Sequence, residues 1–151
     1  RPLGERPDVM KSYRLLELPR WAAWREIPVN SEPKHFPAPF HLSSHVIIAA
    51  GQAGLDTIGV TRALMRGCWV DERNIGARDD VASILDGLGL DGAALVAASD
   101  SAAVAAELSA NTDEALVDKA WSVPSFVVDG ELFFGQDRIE MIDWRLSGGK
   151  N

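Results

Sequence analysis

The sequence predicts an α/β chain in which a long helical block runs into a C-terminal ββα unit. Three observations predict it. Asp129-Gly130 separates two short β-branched and aromatic runs, the strongest short-range signal for a two-residue hairpin. Residues 139–146 then place Ile139, Met141, Ile142 and Leu146 on one helical face. Ahead of the hairpin, apolar residues recur at helical spacing between Ser, Asp and Gly punctuation, with no comparable strand pattern.

The elements follow in order. Pro7-Asp8 opens a helix through about Trp24, with Val9, Tyr13, Leu16, Trp21 and Trp24 near i, i+3, i+4 spacing. Pro19 falls inside it and is expected to kink or split it. Four prolines between Glu26 and His41 make that stretch a loop. Ser43-Ser44 is expected to cap a second helix through Ala50-Gly51, and Gly51-Gln52-Ala53-Gly54 is a turn. Leu55-Asp56 starts a third helix, to about Trp69, and Asn74-Ile75-Gly76 is another turn. A short helix covers Asp79 to Leu88, with Val81, Ile84, Leu85 and Leu88 on one face. Leu90-Asp91 caps the next, Gly92 to Ala97, and Ser99-Asp100-Ser101 caps an alanine-rich helix reaching about Ala120. Pro124 stands before the first strand, where a residue that cannot donate to a ladder belongs. Its peptide bond is trans on base rates, cis being about 5–6% of X-Pro bonds. A cis bond would instead turn the Val123 backbone toward a ligand. Gln136-Asp137 sits where the last helix needs its N-cap, and Gly148-Gly149 ends that helix.

Composition narrows the function. The chain has 151 residues, a net charge of −7 and 46% apolar residues. Acidic and basic residues are interspersed, so nucleic acid and anionic membrane are poor partners. No apolar run approaches the ~18 residues of a spanning helix. The single cysteine, Cys68, lies in an apolar run and reads as a buried thiol. With no C-x-x-C pair, this chain alone cannot run dithiol–disulfide chemistry. A cytoplasmic location is the expectation. His35, His41 and His45 would need a shared helix or carboxylate partners to bind a metal, and a helix start at Ser43-Ser44 separates the last two, so no metal is expected.

The segments Trp121-Ser122-Val123-Pro124-Ser125-Phe126, Val128-Asp129-Gly130-Glu131 and Phe134-Gly135-Gln136-Asp137-Arg138 resemble the 2-hydroxychromene-2-carboxylate isomerase family in order, spacing and identity. That family is related to kappa-class glutathione transferases and to DsbA-like oxidoreductases. Residues Arg62 to Ile75, Ile27-Pro28-Val29-Asn30 and His35-Phe36-Pro37 also look familial. The resemblance implies a thioredoxin-like fold with a helical insertion: residues 1–120 as the mainly helical insertion, residues 121–151 as the C-terminal part of the thioredoxin-like domain. It further implies a βαβ unit that this sequence does not contain, expected ahead of Arg1.

The implied activity is glutathione-dependent isomerisation of 2-hydroxychromene-2-carboxylate or a related aromatic compound, in a cytosolic homodimer. A kappa-like transferase, a DsbA-family oxidoreductase and a non-catalytic thioredoxin-like binding module are the alternatives. By resemblance, Val123 ahead of a cis Pro124 pairs its backbone with the cysteinyl part of glutathione. Gln136 and Asp137 hold its γ-glutamyl end through a helix N-terminus and a carboxylate–ammonium pair. Lys11 and Tyr13 correspond to a family lysine facing the glycyl carboxylate and a tyrosine facing the substrate. Lys11 stands one place closer to Tyr13 than in the family, and a solvated lysine is the alternative. Trp69 and Trp121 are candidates for an aromatic substrate pocket, against the usual role of large aromatics as core. The family's thiolate-activating serine has no counterpart here, and the catalytic residue is unknown from this chain.

Overall fold

A computed structural model describes residues 3–149 and divides the chain into two compact units, 1–104 and 105–151. The first unit is helical. Helices α1 (Asp8–Arg25), α2 (His41–Gln52), α3 (Thr57–Trp69), α4 (Arg78–Asp86) and α5 (Gly92–Ala98) follow one another, with a proline-rich loop between α1 and α2. Helix α6 (Ala102–Val117) starts in the first unit and continues into the second. The sequence reading, divided at 120/121, counted all of it with the helical block.

The core of the first unit is aliphatic. Val46 and Ala50 of α2, Val60 and Leu64 of α3, Val81 and Leu85 of α4, and Leu95 and Val96 of α5 form one buried cluster. Helices α2, α3 and α4 each contribute residues four apart, as a single buried stripe requires, and the short α5 contributes the adjacent Leu95 and Val96. Side chains fix the starts of α3 and α5: the Asp56 carboxylate accepts from the N–H groups of Ile58 and Gly59, and Asp91 from that of Ala94. Arg78 reaches from α4 to the carbonyl of Val96 at 3.0 Å and to both carboxylate oxygens of Asp100, tying α4 to the α5–α6 corner. Buried Ser99 closes that corner by donating to the Val96 carbonyl.

Two expectations fail in this unit. Pro19 does not split α1, which runs unbroken from Asp8 to Arg25. The proline removes one ladder bond, and in the same stretch the Glu17 carboxylate accepts from Arg20 Nη1 at 2.8 Å and Trp21 Nε1 at 3.2 Å. Ser43-Ser44 does not start α2, which begins at His41. The Ser43 hydroxyl donates to the Phe40 carbonyl instead of capping an N–H, a local bond these residues make as readily. His41 and His45 therefore share one helix. Even so, among the described residues no three His, Cys, Asp or Glu groups are placed to hold a metal.

In the second unit α6 stops at Val117, short of Ala120, because Lys119 turns to φ 59° and Ala120 N–H closes onto the Ala115 carbonyl. Strands β1 (Ser125–Val128) and β2 (Glu131–Phe134) form an antiparallel hairpin with Ser125 opposite Phe134 and Val128 opposite Glu131. Asp129 and Gly130 have φ of 51° and 78°, the two positive values a type I′ turn needs. A 3₁₀ turn, Gln136–Arg138, leads into α7 (Ile139–Leu146). Arg145 ties α7 to the hairpin turn, 3.5 Å from Asp129 and 3.6 Å from Glu131. Among the described residues no single helix is long and apolar enough to cross a membrane.

Candidate functional site

The hairpin brings the C-terminal candidates together. Gly135 N–H donates to the Pro124 carbonyl at 3.0 Å. That bond continues the β1–β2 ladder by one pair and lays the Gln136–Asp137 turn beside Val123 and Pro124. The Val123–Pro124 peptide bond is cis. Val123 itself is 87% exposed. Its N–H and C=O meet no partner among the described residues. An extended segment laid along it would find both an acceptor and a donor.

The turn supplies the opposite chemistry. Gln136 and Asp137 are exposed and open a 3₁₀ turn, whose leading N–H groups have no partner within the helix. The expected N-cap role is absent: neither side chain caps the turn or α7, which begins two residues later at Ile139. The Asp137 carboxylate is instead held only loosely, 3.6 Å from Arg138. Gly135, which the sequence marks only as a strand end, is the joint. Its φ is 108°, and a Cβ there would collide with the Asp137 carboxylate. Trp121 is 72% exposed, with its ring centroid 4.2 Å from that of Phe134. The site thus gathers Trp121, Val123, Pro124, Gln136 and Asp137 on one hairpin. Phe134 and Gly135 are the members that sequence reasoning missed.

The remaining candidates belong to the first unit. Lys11 pairs with Asp8 at 3.1 Å across one turn of α1. Tyr13 is 58% exposed. Trp69 is half-buried against Phe36, ring centroids 4.6 Å apart, and Arg14 lies over both rings. Lys11 and Arg14 face a cleft between α1 and residues 31–37. Cys68 is buried, and burial, followed by the negative charge of Glu72, pushes its thiol above the ordinary range. It is a packing residue rather than a nucleophile.

Comparison with known proteins agrees with this architecture. The model of the DsbA-like thioredoxin domain matches residues 7–147. No curated protein sequence matches the chain. Among solved structures, that of a 2-hydroxychromene-2-carboxylate isomerase superposes with a TM-score of 0.76 at 22% identity. The alignment covers 93% of this chain and 67% of that one, and shows a shared fold.

Proposed function

Because the chain belongs to the family of DsbA-like thioredoxin domains, we propose that its hairpin surface holds glutathione. We further propose that the protein uses glutathione to isomerise 2-hydroxychromene-2-carboxylate or a related aromatic compound. The observation that carries this reading is the Gly135–Pro124 hydrogen bond, which joins the residue ahead of the uncapped Gln136–Asp137 turn to the residue after Val123, whose backbone meets no partner among the described residues. A γ-glutamyl tripeptide offers what those groups lack: a peptide backbone for Val123, a carboxylate for the turn's N–H groups, and an ammonium for Asp137. When bound, glutathione supplies a nucleophilic thiol for addition to, and elimination from, a conjugated carbon. The residues of this chain hold and orient it; Trp121, exposed beside them, offers a flat apolar face to an aromatic substrate. A dithiol mechanism has no support in these residues, whose one cysteine is buried.

The test is calorimetric titration of glutathione into the wild-type chain and Asp137→Asn. Losing a charge-assisted bond of about 1.5–3 kcal/mol weakens binding roughly 10- to 100-fold. Unchanged affinity in the variant, or no binding to the wild type at millimolar glutathione, overturns the reading. Glutathione-dependent conversion of 2-hydroxychromene-2-carboxylate, followed by absorbance, tests the second step.

A further inference from the structure

Few contacts hold the stretch between α6 and β1. Among the described residues, residues 121–123 make no backbone–backbone hydrogen bond. The contact of Trp121 with Phe134 holds a side chain and not the peptide planes that follow it. One bond reaches those planes: the Ser125 hydroxyl donates to the Ser122 carbonyl. This is a local bond from a hydroxyl back to a carbonyl three residues earlier. Ser125 is the half-buried first residue of β1, opposite Phe134 in the ladder, and the Gly135–Pro124 bond extends the ladder beside it. It therefore acts from the hairpin and not from the loop that it holds.

The consequence lies in one peptide plane. The Ser122 carbonyl and the Val123 N–H belong to the same peptide unit, which is trans and planar, so they point in opposite directions. A hydroxyl that anchors the carbonyl thereby sets the direction of the N–H. With the carbonyl turned toward Ser125, the Val123 N–H faces the other side of the chain. Hydrogen bonding at the carbonyl also polarises the unit and strengthens its N–H as a donor. We infer that Ser125 is a positioning residue of the hairpin site: through the Ser122 carbonyl it aims the Val123 N–H at a carbonyl of the cysteinyl part of glutathione. A donor aimed before binding removes the cost of ordering that peptide when the ligand arrives. The inference rests on the glutathione reading, and it gives Ser125 no contact with the ligand and no part in the chemistry.

Threonine and valine have nearly the same shape, both suit a strand, and only threonine keeps the hydroxyl. Glutathione is titrated calorimetrically into the wild type, Ser125→Thr and Ser125→Val, and the ¹⁵N-labelled chains are compared by NMR without ligand. Loss of one neutral hydrogen bond weakens binding about 2- to 10-fold in Ser125→Val. Ser125→Thr keeps the wild-type affinity. Without ligand, Ser125→Val shifts the Val123 amide signal, while the amides of residues 131–133, Gln136 and Asp137 stay in place. A serine that merely stabilised the hairpin would move all of these together. Equal affinity in the three chains, a Ser125→Thr variant as weak as Ser125→Val, or a hairpin-wide shift overturns the inference and leaves the glutathione reading intact. No binding to the wild type at millimolar glutathione overturns that reading, and this inference with it.

Discussion

Asp80 shows how single side chains hold the helical unit together. It lies in the first turn of α4 and accepts from the N–H of Asn74 at 2.7 Å and from Arg73 Nε at 2.8 Å. The backbone bond first, and Arg73 second, hold its carboxyl below the ordinary carboxylate range. A carboxyl with a depressed folded value stabilises the fold in full above its unfolded pKa of about 3.9, and that contribution is lost as pH falls through the folded value. Asp80→Asn is therefore expected to cost about 1–2 kcal/mol at pH 7, a modest figure because the pair is partly solvated. The gap between wild type and variant narrows below about pH 4. Urea denaturation at pH 7 and pH 3 measures both, and equal stabilities at pH 7 contradict the role. Local capping of this kind was partly legible. Asp56 and Asp91 cap as their positions suggest, since a carboxylate only accepts. Ser43 misled because a hydroxyl also donates, and its choice depends on where the backbone has already turned. Asp137 misled in the opposite direction: its place before a helix suggests a cap, yet the intervening 3₁₀ turn leaves it uncapping.

Helix packing adds constraints that periodicity alone does not carry. Gly92 opens α5, and its N–H donates to Asp86 Oδ1 at 2.9 Å. A Cβ at this position would overlap the backbone carbonyl of Ala82 in α4. Alanine is the better helix former by about 1 kcal/mol, so propensity alone predicts that Gly92→Ala stabilises. Here the obstacle is backbone, which cannot rotate aside, and the two helices must separate. We expect Gly92→Ala to destabilise by about 2–3 kcal/mol, the scale of overpacking in a dense core. A gain in thermal midpoint would show that the α4–α5 approach is looser than this. The sequence marked Gly92 only as a helix start, because close approach is a property of two helices and not of one. Helix α1 shows the same limit. Its apolar residues recur at helical spacing as predicted, yet none of its described residues is buried, and Tyr13, Leu16 and Trp24 are exposed. Periodicity identifies a face and says nothing of what covers it.

At the scale of the whole chain the two units differ in how they are held. The first holds a buried cluster of eight aliphatic or alanine residues drawn from four helices. In the second, Phe133 is the buried apolar residue of a two-stranded hairpin, and α7 has none among the described residues. The hairpin's Asp-Gly turn, its register and the helix after it were all legible, because they are set by neighbours in sequence. The division at 104/105 was not, because α6 reads as one continuous alanine-rich helix and its contacts depend on tertiary packing. A two-stranded sheet is marginal alone, so local opening of the hairpin should require less free energy than exposure of the aliphatic cluster. In native-state hydrogen exchange, amides of β1 and β2 are expected to exchange at least tenfold faster than those of Leu64 and Leu85. Hairpin amides that exchange as slowly as Leu64 in the absence of ligand would refute this ordering. Ligand sharpens the test. If glutathione binds at Val123 and Asp137, a concentration 100 times its dissociation constant stabilises the closed hairpin by about 2.7 kcal/mol. Exchange by local opening then slows about 100-fold in β1 and β2, and Asp137→Asn removes most of that protection at the same glutathione concentration.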